Sequence, residues 1–108
     1  MRCPAGFAFA ATPPTNEALT FSKQPVAEAE ALVGRSILYN WPCIGWYPGV
    51  LQRRVMDGGR IKRSSKSCNF YIYYKVDDDE VPSVLSLDEY GSEEEGGWLL
   101  LEAVGATV

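Results

Sequence analysis

Two stretches of this chain alternate residue by residue, and that alternation restricts the fold more than any other feature of the sequence. In SILYNW (36–41), Ile37, Tyr39 and Trp41 share one side while Ser36, Leu38 and Asn40 share the other. In NFYIYYKV (69–76), Phe70, Ile72, Tyr74 and Val76 oppose Tyr71, Tyr73 and Lys75. Successive side chains of a strand point to opposite faces, so a period of two rich in aromatic and β-branched residues predicts strands. Three further runs read the same way: WYPGVLQRRV, where Pro48-Gly49 marks an edge, bend or bulge, then VPSVLSL and WLLLEAV. The expected strands lie near 36–41, 46–54, 69–76, 81–87 and 98–102. Five short strands without a sustained helical period predict an all-β fold, a small five-stranded barrel or curled sheet, rather than a parallel α/β arrangement.

A chain of 108 residues has the common size of one domain, and 46% apolar residues supply enough material for its core. Residues 1–24 hold Pro4, Pro13 and Pro14 among Thr12, Thr15 and Asn16 with no hydrophobic period, which reads as a flexible leader or a linker. The run PVAEAEALV (25–33) places Pro25 at a first helical position ahead of strong helix formers, stopped by Gly34, so one or two turns of helix are expected. The barrel domain is then expected over 25–104, with 105–108 as a tail. MDGGRIKRSSKSC (56–68) is longer than a tight hairpin needs and reads as an exposed loop.

Several function classes lose their chemical basis in the sequence. No apolar run approaches the roughly 20 residues that cross a bilayer, and the opening apolar stretch is broken by Gly6 too soon for a secretory signal. An intracellular protein without membrane attachment is expected. Cys3, Cys43 and Cys68 are odd in number, form no CxxC pair and have no histidine to complete a zinc site, so Cys43 and Cys68 read as small buried or half-buried apolar residues. The absence of histidine also removes the usual base for a serine or cysteine nucleophile. Gly58-Gly59 lacks the spacing of a phosphate-cradling loop. No catalysis, metal or cofactor is expected.

Charge is segregated along the chain. Arg53, Arg54, Arg60, Lys62, Arg63 and Lys66 crowd one region, whereas Asp77, Asp78, Asp79, Glu80, Asp88, Glu89, Glu93, Glu94 and Glu95 dominate the later turns, so the net charge of −4 conceals a dipolar molecule. The basic group suits phosphate and the acidic group suits Lys- or Arg-rich tails; each also reads simply as a solvated loop.

The segment LVGRSILYNWPCIGWYPGVL has a Val33-Gly34-Arg35 entry into a strand ending at Trp41, then a short turn, the pair Trp46-Tyr47, and Gly49. It is followed by the aromatic strand with Tyr73-Tyr74, the Asp77-Asp78-Asp79 turn, and Leu85-Ser86-Leu87-Asp88-Glu89. Over roughly residues 32–90 this pattern resembles a Tudor-like domain, a class of SH3-like barrel. It departs from that class in the long 56–68 loop and in having Val81-Pro82 where a further aromatic is common.

The resemblance implies a non-catalytic, nuclear, chromatin-associated binding module that recognises a cationic peptide, with methyl-lysine or methyl-arginine in a cage of aromatic rings beside a carboxylate, as on a histone tail. Ring faces attract a weakly hydrated cation through their quadrupoles. Carried over residue by residue, it points to Trp41, Tyr47 and Tyr74 as the rings and to Asp78 or Asp79 as the carboxylate, with Tyr39 and Trp46 as alternates. The alternative fate of Trp41 and Tyr74, on the faces assigned to the core, is packing. Two other readings stand beside this one. One is a nucleic-acid binder in which Arg53, Arg54, Arg60, Lys62, Arg63 and Lys66 grip phosphate while Tyr71 or Tyr73 stacks on a base. The other is a protein-interaction appendage of a larger polypeptide that uses a sheet edge or an aromatic patch.

Overall fold

The computed structural model describes residues 3–20, 24, 26–55 and 68–104. Six strands, β1 (Phe7–Phe9), β2 (Ser36–Trp41), β3 (Gly45–Arg54), β4 (Phe70–Tyr74), β5 (Asp79–Ser83) and β6 (Trp98–Ala103), form one antiparallel sheet in the order β1-β6-β2-β3-β4-β5. Two single-turn helices, α1 (Asn16–Leu19) and α2 (Ala27–Glu30), and a 3₁₀ turn at Leu87–Glu89 complete the described elements. No helix among the described residues is long and apolar enough to cross a membrane.

β2 to β5 run as a meander, and β6 returns to the free side of β2, setting Ile37 opposite Leu100 and Tyr39 opposite Trp98. Four of the expected strands appear within a few residues of their predicted bounds because alternation and β-rich composition agree there. The fourth strand is earlier than expected, at 79–83 rather than 81–87. The turn falls on Lys75–Asp78, with Asp78 at φ 50°, a left-handed conformation that aspartate tolerates better than most residues.

Two expectations are corrected. The sheet is not closed into a barrel: β1 and β5 are its outer strands, and no ladder joins them among the described residues. Pro82 interrupts the row of donors along β5, which suits a strand with a single neighbour. The stretch expected to be a flexible leader contributes both β1, paired with β6, and α1, whose Ala18 and Leu19 join the core. Thr15 caps α1 by accepting from the Ala18 N–H at 3.2 Å.

The helical reading of 25–33 holds for Ala27–Glu30, followed by a turn that ends at Gly34 with φ 92°. Pro25, most of the 56–68 loop and the 105–108 tail lie outside the described residues.

The core gathers Ile37, Leu51, Phe70, Ile72, Tyr74, Leu85, Trp98 and Leu100, with Leu19, Ala29 and Leu32 from the helical segments. Trp98 is fully buried and donates its indole N–H to the Ser86 carbonyl at 2.9 Å. Gly49 permits the close approach of β4, since a Cβ there would meet Ile72 Cγ2 at 2.6 Å. The buried Asn69 joins three segments: its amide donates to the carbonyls of Leu19 (2.8 Å) and Leu85 (2.7 Å), and its oxygen accepts from the Leu85 N–H at 2.9 Å. Both faces of β2 are used, because Ile37 and Leu38 are each buried.

Candidate functional site

Two hairpin turns, 42–44 between β2 and β3 and 75–78 between β4 and β5, bound a cavity of about 290 Å³. Its walls are Trp41, Ile44, Tyr47, Tyr74, Val76, Asp77 and Val81. The last residue of β2 supplies Trp41 and the start of β3 supplies Tyr47. Tyr74 ends β4, where the alternation of the strand turns it to the buried side with Phe70 and Ile72. All three rings expected from the sequence therefore reach one cavity.

Their burial differs. Tyr47 is 37% exposed, Trp41 is half-buried against the core, and Tyr74 is 2% exposed and belongs to the core itself. Trp41 and Tyr74 meet edge to face, with centroids 5.4 Å apart and planes at 64°, and Tyr39 packs behind Trp41 at 5.4 Å and 58°. Neither alternate ring, Tyr39 nor Trp46, lines the cavity. Burial pushes the Tyr74 hydroxyl well above the usual tyrosine range. The adjacent Trp41 side chain partly offsets that rise but completes no hydrogen bond of normal geometry, and the hydroxyl has no partner among the described residues. Burial, and next the charge of Glu89, raise Tyr39 as well.

The carboxylate of the cavity wall is Asp77, and neither expected aspartate occupies that place. Asp78 accepts from the Tyr73 hydroxyl at 2.7 Å, which raises Tyr73. Asp79 opens β5 and accepts from the Glu80 N–H at 2.9 Å. Val76, assigned by alternation to the inner face, lies beyond the end of β4 and is 67% exposed at the rim; Ile44 is 65% exposed. Cys43, expected to be at least half-buried, is exposed in the 42–44 turn at φ 63°, and its N–H donates to Glu95 Oε2 at 3.2 Å. Cys68 is buried, as expected.

The basic group does not present a common surface among the described residues. A register shift between Leu51 and Arg53 precedes two adjacent arginines, whose side chains go to opposite faces. Arg53 points outward, where it lies 3.8 Å above the Tyr71 ring and pairs with Glu80 through Nε (3.1 Å) and Nη2 (2.9 Å). Arg54 points inward, buried, and donates to Glu30 at 2.8 Å and to the Gln24 carbonyl at 3.1 Å. Arg60, Lys62, Arg63 and Lys66 lie outside the described residues. Tyr71 and Tyr73, the expected base-stacking rings, are covered by Arg53 and bonded to Asp78 respectively.

A second acidic segment adjoins the cavity. The Asn40 side chain donates to the carbonyls of Glu93 (3.1 Å) and Glu94 (3.0 Å), and its backbone exchanges hydrogen bonds with Gly96 and Gly97. The 92–97 turn is thereby fixed against the end of β2, one residue from Trp41. No family model matches the chain, and no curated protein or solved structure matches it.

Proposed function

We propose that this chain is a non-catalytic, Tudor-like recognition module that takes an N-methylated ammonium group of a basic protein tail into the Trp41–Tyr47–Tyr74 cavity. The observation that carries this reading is the convergence of three rings and one carboxylate, Asp77, on a single cavity between two hairpin turns. A methylated ammonium gains cation–π attraction of up to about 2 kcal/mol when desolvated, and it gives up less hydration than an unmodified lysine. The ring arrangement favours a rounded ammonium over a flat guanidinium. Trp41 and Tyr74 stand at 64° and touch edge to face, whereas a planar guanidinium stacks best on a ring face. The return of β6 onto the first strand of the meander supports an SH3-like connectivity for the open sheet, short of barrel closure. A nuclear location follows from the same reading, as the place where basic tails of chromatin proteins are met.

The nucleic-acid reading is weaker, because Arg53 and Arg54 are already engaged by Glu80 and Glu30. Calorimetry with one lysine peptide in unmodified, dimethyl and trimethyl forms tests the proposal. The methylated forms are expected to bind at least tenfold more tightly, and Trp41→Ala should weaken them by at least about tenfold, equivalent to roughly 1.4 kcal/mol. Melting temperatures measured in parallel separate lost contacts from lost folding. Equal affinity for all three peptides would remove the cage.

A further inference from the structure

We infer that the cavity reads its ammonium within a Lys/Arg-rich segment, sensing basic residues on both sides of the caged one; this rests on the reading above. Ile44 and Val76, one on each turn at the rim, are both about two-thirds exposed and so available to a segment that passes over the cavity. A peptide whose side chain enters the cavity then carries its neighbouring residues over these two turns.

Carboxylates adjoin both turns. On one side Glu95 holds the Cys43 N–H beside Ile44, and Asn40 fixes the backbone of the exposed Glu93 and Glu94. On the other side Asp77 stands in the wall and is followed by the exposed Asp78 and Asp79. Lys75 is the one cation in these turns, and the other described arginines are held by Leu101, Glu80 and Glu30. The charge that the described residues set around the cavity is therefore negative, and charge complementarity selects a basic partner over a neutral or acidic one.

Reach limits which flanking positions count. An extended segment advances about 3.3 Å per residue, and charges are screened over about 8 Å at physiological salt. Residues within about two positions of the caged one stay inside that length. More distant ones fall outside it.

The test uses the full chain and three dimethyl-lysine peptides that differ only at the two positions on each side of the modified residue, filled with Arg, Gln or Glu. In 50 mM salt the Arg-flanked peptide is expected to bind about tenfold more tightly than the Gln-flanked one, and the Glu-flanked peptide more weakly still. In 500 mM salt the spread should contract to about twofold. Glu93→Gln combined with Glu94→Gln should cut the advantage of Arg flanks to about threefold, with a loss for the Gln-flanked peptide of no more than about twofold. Equal binding of Arg- and Gln-flanked peptides by the wild type overturns this inference and leaves the cage standing. An unmodified Arg-flanked peptide that binds as tightly as its dimethyl form, with the Arg advantage intact, overturns the cage while the acidic rim stands. Failure of every peptide to bind overturns both.

Discussion

Tyr74 is 2% exposed, and its hydroxyl finds no partner among the described residues, so the ring packs well while its polar end remains unsatisfied. An unpaired buried hydroxyl costs about 1–3 kcal/mol. Tyr74→Phe keeps the ring and removes that cost, so urea denaturation is expected to give unchanged stability or a gain of up to about 1 kcal/mol. A loss beyond about 1 kcal/mol would mean that the hydroxyl has a partner in solution. The same group contributes to the pH dependence of stability on the alkaline side. Its folded pKa lies above the unfolded value of about 10, so the folded state resists ionisation of this hydroxyl: stability is unaffected by that ionisation below pH 10 and falls as pH rises from there toward the folded pKa. Tyr74→Phe should therefore flatten the fall in stability above pH 10 when melting is followed across that range. At this scale the sequence was informative about rings and poor about charges. Trp41, Tyr47 and Tyr74 were legible through the resemblance to a Tudor-like domain, whereas strand alternation by itself placed Trp41 and Tyr74 on the faces assigned to the core. Asp77 was not, because the choice among three consecutive aspartates depends on which one adopts the left-handed turn conformation, and Asp78 does.

The helical segments were the least legible elements. A single turn such as α1 is too short to show a 3.6-residue period, and its one local signal, Thr15 as a cap, sits in a Pro- and Thr-rich stretch that reads as loop. β1 has three residues and is recognised only through its pairing with β6, which no local pattern encodes. The packing nevertheless makes a strong claim about the segment. Leu19 is buried, and its carbonyl receives the Asn69 amide. Leu19→Ala is expected to cost about 2–4 kcal/mol in chemical denaturation, whereas a loosely attached leader would give a change within about 0.5 kcal/mol. The longer strands were legible for the opposite reason: β2 and β4 carry alternation and β-branched or aromatic composition, and their boundaries agree with it, Gly34 and Pro42 for β2 and the Asp-rich turn after β4.

Over the whole molecule, the order of strands was the part hidden from the sequence. Periodicity says which segments are strands and which faces are apolar, but the return of β6 to β2 spans some sixty residues and is decided by the fit of Trp98 and Leu100 into the shared core. Pro82 in the outer strand β5 bears on how copies of the molecule behave in concentrated solution. A sheet grows by self-templating when an outer strand offers an unbroken row of donors and acceptors to the next chain. Here one end of the sheet is three residues long and the other lacks an N–H at Pro82, so neither end offers an incoming strand a full ladder. Replacing Pro82 with Thr restores the donor without disturbing a buried contact, and light scattering during prolonged incubation should rise in that variant while the parent stays clear. Equal scattering from both would mean that growth is prevented elsewhere. The residue that suits β5 to its place at the edge of the sheet is also the one that withholds a backbone donor from a further strand.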